Sequence, residues 1–170
     1  MKQHLRTKNI AIIGMLIALD IIFTRFWMIQ TPQIRISLGF FAIAMIGMLY
    51  GPMIAGIAAG LSDIVGWFMH PYAPFFPGFT LTAIVTGVIF GYFLHKPHTP
   101  LRSYIFSAIC VTLVCDTLLN TLWLSLIQNV PFISLIITRG IKIAVMFILY
   151  IAILPIVCEK IKLLVKTHVI

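Results

Sequence analysis

An all-α integral membrane protein, a compact bundle of six transmembrane helices with cytoplasmic N- and C-termini, is the fold this sequence predicts. Three observations predict it. Of 170 residues, 61% are hydrophobic and 9% charged, with a mean hydropathy of +1.11, where a soluble domain has roughly 45–50% apolar and 25% charged residues. The apolar residues fall into runs separated by short connections rich in Pro, Gly and polar residues, and a hydrocarbon core about 30 Å thick takes ~20 apolar residues per helix. The Lys and Arg residues lie mostly at the ends of those runs.

The first helix is expected over 9–28. Lys2, Arg6 and Lys8 before it give the start a signal-peptide look. The apolar run exceeds the usual h-region of about 7–15 residues and lacks an A-x-A site, so it reads as a retained helix. Ala11, Gly14 and Ala18 share one of its faces, where small residues allow close approach by an internal helix or by a second subunit. Pro32 ends the segment, and residues 30–37 are expected as a loop carrying Arg35.

A short second helix, 38–49, ends at Tyr50-Gly51-Pro52, and a third runs over 53–69 with Gly56 and Gly60 in small-x-x-x-small spacing. A second loop follows, in which prolines alternate with aromatic residues. The fourth helix, 78–94, repeats the small spacing at Gly87 and Gly91. A polar connection then leads to helices over 101–126 and 132–158 and a Lys-rich tail.

With six spans, Lys2, Arg6, Lys8, Lys96, Arg102, Lys160, Lys162 and Lys166 fall on one side, which the positive-inside rule makes cytoplasmic. That accounts for most of the net charge of +8 and gives no reason to expect nucleic acid. Cys110, Cys115 and Cys158 lie in apolar segments without C-x-x-C spacing, so they predict packing and neither a disulfide framework nor a metal site. There is no phosphate-binding G-x-x-x-x-G-K-[ST] loop, so an ATP-driven step needs partners, and no cofactor is expected.

The other four cations, Arg25, Arg35, Arg139 and Lys142, belong to the outer half. Three of the four acids, Asp20, Asp63 and Asp116, lie within spans. Charges at such depth face the bundle interior or a cavity and find partners, so pairing of Asp63 or Asp116 with Arg139 or Lys142 competes with contact to a ligand. With one cation in excess, the outer cavity is expected to be electropositive and to suit an anionic solute. Trp67, Tyr72, Phe76 and Phe79 cluster with Phe68 and Phe75 around the second loop, and Asn120 and Trp123 follow Asp116 at i+4 and i+7. Flat apolar walls with a few polar groups suit a small-molecule pocket. Asp or Asn can read the edge of a heterocycle, and Arg can clamp a carboxylate.

The runs QIRISLGF (33–40), GPMIAGIAAGLSDIVGW (51–67), PGFTLTAIVTGVIFG (77–91), NTLW (120–123) and TRGIK (138–142), with TRF at 24–26, resemble the substrate-binding S-components of energy-coupling factor vitamin transporters, in particular their folate branch. The resemblance covers nearly the whole chain. It implies one domain over residues 1–170 that binds its vitamin from outside the cell membrane and delivers it by toppling after docking on a transmembrane coupling subunit with two ATPase subunits. Arg25 and Arg35 would contact the glutamate tail of folate or close the first loop. Asp63, Trp67, the aromatics to Phe79, Thr80, Asn120 and Trp123 would surround its rings, with Arg139 and Lys142 as contacts or internal partners. The family's A-x-x-x-A docking motif is not matched at Ala11, because Met15 follows four residues later; Gly14 with Ala18 is the nearest fit.

Three other readings stand beside this one. The first is an S-component for another small anion such as pantothenate. The second is a stand-alone channel or secondary transporter, although no inverted repeat is evident. The third is an intramembrane enzyme using a buried acid or histidine, although no ligand spacing or carboxylate pair supports one.

Overall fold

The computed structural model describes residues 7–30, 35–71, 74–96 and 99–168, with the side chains of Gln30, Arg35 and residues 161–168 outside that description. The described residues form a helical bundle. Helix α1 (Thr7–Ile21) widens into a π turn (Ile22–Phe26) and leads to strands β1 (Met28–Gln30) and β2 (Arg35–Ser37). Helices α2 (Phe40–Tyr50), α3 (Pro52–Met69) and α4 (Pro77–Leu94) follow. The next rod joins α5 (Leu101–Cys110), a π segment (Val111–Leu119) and α6 (Asn120–Gln128), and α7 (Phe132–His168) ends the described chain. Five stretches, Thr7–Phe26, Pro52–Met69, Pro77–Leu94, Leu101–Gln128 and Phe132–Lys160, are long and apolar enough to cross a membrane, whereas Phe40–Tyr50 is shorter.

Glycine and proline set these boundaries. Gly51, with φ of +88°, turns the chain between α2 and α3, and Pro52 and Pro77 occupy first-turn positions where their missing N–H costs nothing. The close fit of α2, α3 and α4 depends on small residues. A Cβ on Gly87 would lie 2.4 Å from the Ala55 carbonyl oxygen, and one on Gly91 2.3 Å from the Pro52 Cα. Helix α2 is buried along most of its length, including Ala42, Ala44, Ile46 and Gly47, so protein rather than lipid covers it.

The expected first loop is an antiparallel hairpin pairing Met28 with Ser37, Ile29 with Ile36 and Gln30 with Arg35. Its signal was the period-two alternation Ile34-Arg35-Ile36-Ser37, and an isolated hairpin is marginal without the bundle beneath it. Helix α7 continues to His168 rather than ending near 158. Apolarity stops there, but Lys and Leu in the tail are good helix formers. The two π segments are the other departure. In one, the Trp27 N–H reaches the Ile22 carbonyl at 3.0 Å, and in the other the Thr117 hydroxyl reaches the Thr112 carbonyl at 2.9 Å. Each wide turn carries a buried charge, Arg25 in the first and Asp116 in the second.

Candidate functional site

Charged residues are placed by helix phase. On α7 the buried positions are Leu135, Arg139, Lys142, Met146, Tyr150, Leu154 and Cys158 among the described side chains, spaced by three or four along one face. The two cations therefore point inward. They reach a cavity of about 790 Å³ that also receives residues from α1, α3, α4 and the π segment. That volume lies within the roughly 300–1,000 Å³ of small-molecule sites. Along the fifth rod the lining runs from Val111 to Gln128, on the order of 25 Å at helical rise, so the cavity is elongated.

Six of the sequence-derived candidates line it: Asp63, Phe76, Phe79, Asn120, Arg139 and Lys142. Four others stand directly behind the wall. Arg25 donates to the Asp63 carboxylate at 2.8 Å and to the Asp63 carbonyl at 3.0 Å, and Thr80 donates to the other carboxylate oxygen at 2.8 Å. Gly66 makes room for the guanidinium, since a Cβ there would lie 2.7 Å from Arg25 Nε. Trp67 meets the ring of Phe75 edge-on at 5.3 Å. Trp123 tilts against Phe76 at 5.6 Å and donates its indole N–H to Thr82 at 3.0 Å. Tyr72 and the Arg35 side chain lie outside the described residues.

Deeper in the cavity, Lys142 donates to one oxygen of Asp116 and Tyr150 to the other at 2.9 Å. Asp116 and Lys142 thus pair as one of the two open readings had it. Asp63 instead takes Arg25, because α1 crosses α3 at that level. Among the described residues, Asp20, Asp63 and Asp116 line the cavity alongside two cations, Arg139 and Lys142; the expected excess of positive charge counted Arg35, whose side chain lies outside them. Asp20 accepts from Ser62 on α3, which ties α1 to α3 a second time.

Several lining residues were not singled out from sequence, among them Thr24, Ser37, Thr82, Thr86 and Tyr150. Threonines in apolar helices are ambiguous because their hydroxyls can bond their own helix, as Thr82 and Thr86 do to Gly78 and Thr82. Tyr150 had a signal, its place on the stripe containing Lys142 and Met146. Ala11, Gly14 and Ala18 lie on an exposed face with Met15, and space around Gly14 is open. That face does not pack inside the described bundle.

The chain matches the family described as ECF transporter, substrate-specific component, over residues 8–163. It is 40% identical over 132 residues to a folate transporter FolT from Clostridium novyi (strain NT), covering 78% of this chain and 77% of that protein. A folate transporter FolT from Leuconostoc mesenteroides subsp. mesenteroides is 28% identical over 150 residues, covering 84% and 80%. Among solved structures, FolT bound with folic acid superimposes with a TM-score of 0.86 at 36% identity, over 91% of this chain and 95% of that one. The S-component for biotin from an ECF-type ABC transporter matches with a TM-score of 0.68 at 20% identity over 95% of each chain, a likeness of fold alone. The matched family is a transporter's substrate-binding part and not an enzyme. The chain belongs to the substrate-specific components of ECF transporters.

Proposed function

We propose that this protein captures folate on the outer face of the cell membrane as the binding subunit of an ATP-driven importer. The observation that carries the reading is the long cavity with aromatic walls and buried polar groups, in a chain 36% identical to a FolT solved with folic acid. A pterin and an aminobenzoyl ring need flat apolar surfaces, which Phe75, Phe76 and Phe79 offer. Their heteroatoms and carboxylates need donors and acceptors, which Asp63, Asn120 and the α7 cations offer. Arg25, Thr80, Trp67 and Trp123 hold those groups in place from behind, the support that a precise site requires.

The charge distribution supports cytoplasmic termini for a chain of six spans. Helix α2, shorter than the others but covered by protein along most of its length, is the sixth span of this reading. The hairpin and the aromatic loop then face outside. Transport requires a transmembrane coupling subunit and two ATPases, and the exposed face with Ala11, Gly14 and Ala18 is the docking surface assigned to them.

Proteoliposomes test the reading. Radiolabelled folate should accumulate only when this protein, the coupling subunit, the ATPases and ATP are all present. Uptake by this chain alone would instead make it a self-sufficient carrier. Gly14→Leu should abolish uptake, because a bulky side chain separates the docked helices, while folate binding by the isolated protein stays at the wild-type level. Loss of both together would remove the docking assignment.

A further inference from the structure

Two cations from α7 line the cavity, and their surroundings differ. Lys142 is closed into a trio: Asp116 takes its charge, and Tyr150 occupies the other carboxylate oxygen. Arg139 has no such partner of its own: the charge of Asp116 reaches it, but both oxygens of that carboxylate are already taken by Lys142 and Tyr150. Its residue is 3% exposed, and its Nη1 donates at 2.9 Å to the hydroxyl of Thr121, a neutral group. Its Nε has no hydrogen-bond partner, and neither ion pair among the described residues includes it. The guanidinium lies against the cavity.

A buried guanidinium cannot relieve this by losing its proton, as a lysine can. Leaving such a charge with only a counter-charge already engaged elsewhere is among the more expensive arrangements a protein interior can hold. Proteins tolerate it where a binding step supplies the missing partner, and an uncompensated group of this kind then costs stability and contributes affinity. Asn120, next to Thr121 in the chain, lines the same cavity. It offers an amide to the same cavity.

We infer that Arg139 is the specificity-determining cation of the site and receives an anionic or carbonyl oxygen of the ligand, and that the unliganded protein carries it as a buried charge without an ion-pair partner of its own. The inference rests on the folate reading and deepens it. A ring carbonyl and a glutamate carboxylate are the two sources of such an oxygen in folate.

The test compares thermal unfolding and folate affinity of detergent-purified wild type, Arg139→Met and Arg139→Lys. Arg139→Met without ligand should melt at or above the wild-type temperature, yet bind folate roughly 10- to 100-fold more weakly, the scale of a hydrogen bond to a charged group. Arg139→Lys keeps the charge but not the planar fork and should recover only part of the affinity. Pteroate, which lacks the glutamate, separates the sources. The loss persists with pteroate if the oxygen is on the rings and disappears if it is a glutamate carboxylate. Unchanged folate affinity in Arg139→Met overturns the inference. So does a lower unliganded melting temperature that Arg139→Lys restores together with full affinity, since Arg139 would then be a structural charge only. If wild type itself fails to bind folate, the folate reading falls, and the unliganded melting comparison still decides whether the buried Arg139 charge costs stability.

Discussion

Asp63→Ala is expected to destabilise the protein by about 3–5 kcal/mol, the cost of removing one partner from a buried ion pair. For a chain of this size that lowers the melting temperature on the order of 10 °C. Asp63 receives both Arg25 and Thr80 through its side chain, so one substitution unties α1, α3 and α4 at the level where the hairpin begins. The Arg25 side chain is 2% exposed, so its charge cannot turn to water once Asp63 is removed. Arg25→Met should be the milder change, because the Asp63 carboxylate, 21% exposed, can meet water and keeps its bond from Thr80. Equal or reversed effects in thermal unfolding would mean that Arg25 is held by something other than this carboxylate. In the proposed folate site Arg25 would act through Asp63, which lines the cavity.

Asp116→Ala should have the next largest effect, about 3 kcal/mol or more, because Lys142 loses its counter-charge and Tyr150 its acceptor at once. The flexible lysine stem can carry its ammonium into the cavity once released, which limits the loss relative to Asp63→Ala. Combining Asp116→Asn with Lys142→Met removes both charges while leaving an acceptor for Tyr150, and should return most of the lost stability, as neutral replacements of buried pairs commonly do. A double variant no more stable than Asp116→Ala would show that the pair is not the origin of the effect.

The long apolar helices were legible because membrane burial makes them so. Proline and glycine placed α3 and α4 within one residue of the observed bounds. The inward direction of Arg139 and Lys142 was also legible, since lipid is no place for them. The pairing of Asp116 with Lys142 was among the expected alternatives, but that of Arg25 with Asp63 was not, because it depends on how α1 and α3 are rotated and on the space left by Gly66. The π segment shows why phase arguments fail locally. A wide turn across 111–119 changes which residues follow Asp116 on its face, so Asn120 and Leu124 line the cavity while Trp123 stands behind Phe76. Tyr150 and the threonines escaped notice because each residue type has an ordinary packing role in an apolar helix.

The central claim, that the cavity is a folate site, is tested most directly by titrating folate into the purified protein in detergent calorimetrically. One folate per chain with a Kd on the order of nanomolar, about −12 kcal/mol, is the predicted result, with pantothenate failing to compete. Absence of saturable folate binding, or displacement of folate by pantothenate at equal concentration, would contradict it.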